Sequence, residues 1–151
     1  MLRIMLGWIM LWAFVDKMFG LGFQTPSGSG WIDGGSPSSA VVYVTSGLFK
    51  GFFDSLAGNA VVDVLMMVGL LCIGVALILG VASKVTTVTM AVFLLLMFLL
   101  AVPPKDNPLI DYHLVYLVLM LAVYVGGGFD RLSLNARWKE LWIVKRFRIL
   151  T

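Results

Sequence analysis

Six charged or titratable side chains stand in or beside long apolar runs of this 151-residue chain: Asp16, Lys17, Asp63, Lys105, Asp111 and His113. A charge at the centre of a membrane-crossing helix costs about 2.5 to 3.5 kcal/mol on insertion scales, so such groups tend to face a cavity, a partner or a ligand. His113 is the one side chain type that ordinarily titrates near neutral pH, which suits it to donate a hydrogen bond to a quinone carbonyl or to move a proton. A structural hydrogen bond explains a lone histidine as well. His113, Tyr116, Met120 and Tyr124 share one helical face, with the titratable group at its mouth and phenols below. Asp63 opens a long apolar run, where the helix dipole favours a carboxylate without any ligand.

Trp8, Trp12 and Asp16 recur every four residues, with Phe19 and Phe23 continuing the stripe. Aromatic rings on one helix face, ending in a carboxylate, are what a planar-ring site needs; ordinary packing with an interfacial aromatic belt reads the same stripe. Lys17 lies about 100° around the helix from Asp16, and either snorkels outward or pairs with Asp63 or Asp111. Asp111 would be about 200° from His113 if both were helical. That spacing predicts a helix-start cap, or a partner for Lys105 or Lys17, rather than a partner of His113.

Other chemistries are excluded. One histidine and one cysteine, Cys72, leave no set for bis-histidine haem, zinc or iron–sulfur ligation, so no metal or haem is expected within the chain. Cys72, in mid-run, reads as a buried apolar residue. Nucleotide-binding glycine patterns are absent, and the net charge of +3 is accounted for by membrane topology, with no nucleic-acid partner.

The elements that carry these residues follow from hydropathy. With 60% hydrophobic and 13% charged residues, the chain reads as a single all-α membrane domain over residues 1–151. Four spans are expected, at about 4–23, 61–83, 85–103 and 109–125, with Asn107-Pro108 starting the last and Gly126-Gly127-Gly128 ending it. The basic Arg3 before a short apolar run also fits a signal peptide, but the Asp16-Lys17 pair and the lack of a small-residue cleavage pattern argue against one. The second span carries Gly69, Gly74, Ala76 and Gly80, of which Ala76 and Gly80 form a small-xxx-small pair for close helix approach, within the chain or in a homo-oligomer.

A long outer loop, 24–60, holds Leu48, Phe49, Phe52, Phe53 and Leu56 at the spacing of a short amphipathic helix, either an anchor in the membrane surface or a lid. The tail, 126–151, predicts a basic amphipathic helix on anionic lipid. Eight of the eleven Lys and Arg residues fall on the face shared by the two termini, which makes that face cytoplasmic in a multi-pass protein of a prokaryotic cell membrane.

The stretch Trp12 to Phe23, the stretch Trp31 to Pro37, Asp63 with Met66 to Gly69, and Asn107 to His113 together resemble, in order, the DoxX/DoxD family of small four-helix membrane proteins. The likeness covers Arg3 to about Trp142. It implies the membrane part of a thiosulfate:quinone oxidoreductase, passing electrons from sulfur compounds to quinone with a partner subunit. The matched positions that would carry roles are Asp16, Lys17, Trp31, Asp63, Asn107, Asp111 and His113.

Two functions are therefore expected to compete. In the first, a quinone-interacting redox subunit, the ring sits among Trp8, Trp12, Phe19 and Tyr116; His113, Asp16 and Asp63 handle protons; and Lys17, Trp31, Asp111 and Asn107 face the substrate. In the second, the chain is a non-catalytic assembly subunit of a respiratory or sulfur-redox complex, and the polar cluster locks helix register. A small-anion transporter is a distant third, because four spans without inverted repeats give little room for alternating access.

Overall fold

The computed structural model describes residues 1–43, 47–104, 107, 109–147 and 150, with only the backbone of Tyr43; Lys105, one of the six candidate groups, lies outside the described residues. The described chain is all helical. Its helices are α1 (Leu2–Phe19), α2 (Pro37–Tyr43), α3 (Lys50–Asp54), α4 (Ala60–Leu79), α5 (Ser83–Ala101), α6 (Tyr112–Val125), α7 (Asn135–Glu140) and α8 (Trp142–Arg146), with a single 3-10 turn at Trp31–Asp33.

Two helices, α4 and α5, are long and apolar enough to cross a membrane. The expected first and last spans come out differently. α1 carries Arg3, Asp16 and Lys17 within its 18 residues, and it ends at Gly20, in the left-handed region at φ 58°, rather than running on to position 23. α6 has 14 residues, about 21 Å at the helical rise, and begins at Tyr112 rather than at position 109. The Asn107 side chain instead holds the approach to it, accepting from the backbone N–H groups of Leu109 and Ile110 at 3.0 and 3.1 Å.

α1 packs on α4, α4 on α5, α5 on α6 and α6 back on α1, around Leu6, Met10, Leu70, Ile73, Leu77, Met90, Leu94 and Met120. The α1–α4 seam is so close that a Cβ added at Gly7 would stand 2.9 Å from Leu77 Cβ, and one at Gly74 would stand 2.8 Å from the Leu11 amide nitrogen. The close approach thus runs through Gly7 and Gly74, not through the Ala76–Gly80 pair. Gly80 has another use: it ends α4 at φ 71°, and a Cβ there would collide with the Arg3 guanidinium.

Arg3, read in the sequence as a basic residue ahead of an apolar run, is 3% exposed. Its guanidinium donates to the carbonyls of Leu77, Ile78, Arg131 and Leu132 and lies 5.9 Å from the Phe129 ring centroid. It therefore satisfies carbonyls that the end of α4 leaves without helical partners and ties the 129–132 loop to them.

At the opposite end, the described parts of the long loop between α1 and α4 fold back over the helices. Val42 of α2, Phe53 of α3 and Leu100 of α5 form a second small core, while Leu48, Phe49 and Phe52 stay exposed. The expected amphipathic helix contracts to the five residues of α3. In the tail, Leu141 is extended at ψ 135°, so the expected single basic helix is broken into α7 and α8. Cys72 faces outward, contrary to its expected burial.

Candidate functional site

Where the C-terminal end of α1 meets the N-terminal ends of α4 and α6 and the C-terminal end of α5, a cavity of about 380 Å³ opens under α2. Its apolar walls come from Ile9, Met10, Ala13, Val41, Met66, Leu70, Phe93, Leu94, Met97 and Leu100, and its polar groups are Lys17, Gln24, Tyr112, His113 and Tyr116. It extends over positions 9 to 17 of α1 and 93 to 101 of α5, eight helical rises on each, which is about 12 Å along the helices. That size and lining, apolar with a few convergent polar groups, are those of a small-molecule site.

The histidine is set up by its neighbour. Asp111 is the N-cap of α6: its extended backbone lies outside the helix, one carboxylate oxygen accepts the Leu114 N–H at 3.1 Å, and the other lies 2.5 Å from His113 Nδ1. The expected 200° separation fails because it assumes that both residues are helical. A carboxylate is an acceptor only, so His113 carries its hydrogen on Nδ1, and the neutral ring has Nε2 left as an acceptor for a ligand. The Tyr112 ring covers the imidazole at 4.1 Å between centroids and meets Tyr116 edge-on at 5.9 Å.

Lys17 is 6% exposed and donates to Gln24 Oε1 at 3.2 Å. Among the described residues it has no carboxylate within ion-pair distance. An ammonium has three donors, so two remain for whatever enters the cavity.

Asp16 and Asp63 are placed elsewhere. The Asp16 carboxylate, 1% exposed, accepts three backbone N–H groups, from Phe23 at 3.3 Å, Gln24 at 3.0 Å and Thr25 at 2.8 Å. This folds the chain leaving α1 back against the helix and swings Gln24 over Lys17. Asp63, 5% exposed, accepts from Ser36 Oγ at 3.0 Å and from the Ser38 N–H at 2.8 Å. It therefore pins the first turn of α2, the cover of the cavity, to α4.

The aromatic stripe forms no ring site with His113. Trp8 and Phe19 are exposed, Trp8 lies 5.9 Å from Trp12, and Trp12 meets Phe23; none of them lines the cavity, and neither do Trp31 or Asn107. Of the expected ring and proton groups, Tyr116 and His113 are brought together, with Lys17 beside them. Gln24 and Tyr112 were not foreseen. Gln24 sits in a Gly/Ser/Pro-rich loop without periodicity, whereas Tyr112 adjoins His113 and was within reach of a reading that placed the helix start at Asp111.

Among the described residues no group of three or more His, Cys, Asp or Glu side chains is gathered to hold a metal ion. Comparison with protein-family models, with curated proteins and with solved structures returns no match.

Proposed function

We propose that the chain is an integral membrane protein of four spans, of DoxX/DoxD type, whose outer-end cavity holds the ring of a quinone as part of a redox system fed by sulfur compounds such as thiosulfate. The observation that carries this reading is the cavity itself, in which apolar walls from α1, α2, α4 and α5 converge on Lys17, His113 and Tyr116. Membrane embedding is supported by the outward faces of α4 and α5, where Val61, Leu65, Val68, Val88, Val92 and Leu95 are exposed apolar residues that water would not favour. Arg131, Arg137, Lys139, Lys145 and Arg146 follow α6, at the end away from the cavity, which orients the termini to the cytoplasm and the cavity to the outside.

The residues fit a quinone ring: a cavity of about 380 Å³ extending about 12 Å along α1 and α5, apolar for the most part, with hydrogen-bond donors and an acceptor among its lining. A bound quinone supplies a two-electron, two-proton carrier. Lys17 would donate to a ring oxygen. His113 would accept or return a proton at Nε2, and Asp111 would stabilise the resulting imidazolium as a positioning residue. Tyr112 and Tyr116 wall the ring, and α2, held by Asp63, keeps water from the slot.

A second reading, the assembly subunit, is favoured by one fact: Arg3, Asp16 and Asp63 are each engaged by internal contacts that hold the fold. Titration of the purified protein with a short-chain quinone separates the two. The redox reading expects saturable binding that is lost in a His113→Leu, Lys17→Met variant of unchanged thermal stability; partition into detergent alone, with no saturation, supports the assembly role.

A further inference from the structure

Lys17 is a cation more than nine-tenths buried, at the wall of an apolar slot, with one neutral acceptor as its hydrogen-bond partner among the described residues. Gln24 supplies a carbonyl oxygen at 3.2 Å and no charge. The adjacent carboxylate, Asp16, offsets part of the charge from beyond ion-pair distance, but it is occupied by three backbone N–H groups and lines no part of the cavity. Burying an ammonium costs free energy that a single neutral hydrogen bond does not repay, and the partner that repays it best is an anionic oxygen in the same low-dielectric space. The rest of the slot is mostly apolar, with Phe93 and Met97 among its walls, and suits a largely apolar body. His113 does not compete for this role, because Asp111 already neutralises it when it is protonated.

We infer that the cavity selects ring ligands that carry an ionised ring oxygen, a hydroxyquinone in its anionic form, over neutral rings of the same shape, and that Lys17 is the residue that makes the distinction. This rests on the reading of the cavity as a ring site. An interaction between an ammonium and an anionic oxygen, sheltered from water, gives a preference of about tenfold or more. Removing the ammonium abolishes the preference without removing the slot.

The test is calorimetric titration of the detergent-solubilised full chain with 2-hydroxy-1,4-naphthoquinone and with its 2-methoxy analogue, at a pH where the hydroxyl is ionised. The expected result is at least about tenfold tighter binding of the hydroxy compound, falling to near equality in Lys17→Met, where the hydroxy compound loses more affinity than the methoxy one. Equal binding of the two compounds by the unsubstituted protein overturns the inference and leaves the ring site standing. Binding of neither overturns the ring site and the inference with it. The comparison of the two compounds needs no variant, so a Lys17→Met protein that fails to fold does not prevent the decision.

Discussion

His113 Nδ1 and Asp111 Oδ2 lie 2.5 Å apart, although Asp111 is outside α6 and His113 is its second residue. One carboxylate thus starts the helix and fixes the tautomer of the only histidine. The two jobs are separable by substitution. Asn caps a helix about as well as Asp, so Asp111→Asn is expected to change stability by less than about 1 kcal/mol. An amide cannot balance an imidazolium, however, so quinone-dependent turnover should fall by at least about tenfold, a loss of proton transfer at Nε2. Thermal unfolding and turnover measured on the same preparation check both halves.

The Asp16 carboxylate predicts the opposite pattern. With three backbone N–H groups donating to it, Asp16→Asn turns an acceptor toward a donor and leaves buried N–H groups unpaired, at a cost of about 1 to 3 kcal/mol. Gln24 then leaves Lys17, so ligand affinity drops together with the unfolding temperature. An Asp16→Asn protein of full stability that had lost turnover would return Asp16 to the catalytic role expected from the sequence.

Arg3 predicts a loss confined to stability. Its guanidinium closes four carbonyls at the far end from the cavity, and Arg3→Met leaves them unsatisfied, costing about 3 kcal/mol or more. Gly80→Ala should destabilise in the same way, because it needs φ 71° and the space that the guanidinium fills. Arg137→Gln, at an exposed position, serves as the control with little effect. Guanidinium-free thermal unfolding in detergent reads all three.

At the α1–α4 seam, Gly74→Leu places side-chain carbons against the Leu11 backbone and forces the helices apart. Overpacking of this kind costs about 1 to 3 kcal/mol and more where backbone must move. Gly69, with open space around it, accepts the same substitution. Comparing the folded yield of the two variants tests the register of the seam.

Much of this arrangement was legible in the sequence, and the failures have physical causes. Hydropathy located α4 and α5, and helical spacing put His113, Tyr116 and Met120 on one inward face, because burial of apolar surface dominates both. Helix ends were misjudged at Gly20 and at Asp111, where a left-handed glycine and a side-chain cap decide the boundary and hydropathy does not change. The roles of Asp16, Asp63 and Arg3 depend on backbone groups brought in by loops, from Phe23 to Thr25, from Ser38 and from Arg131 to Leu132. No periodicity encodes such contacts. The aromatic stripe misled for a related reason: Trp8 and Trp12 share a face of α1, but the face that meets the cavity is that of Ile9, Ala13 and Lys17.

The most direct measurement is the quinone carried by the protein as purified in mild detergent, extracted and quantified per chain, beside an Ala13→Phe variant that fills the slot without replacing a polar group. The account predicts a near-stoichiometric quinone in the unsubstituted protein and its loss in Ala13→Phe at unchanged helix content. Quinone at the level of the surrounding lipid, or equal amounts in both proteins, would contradict it.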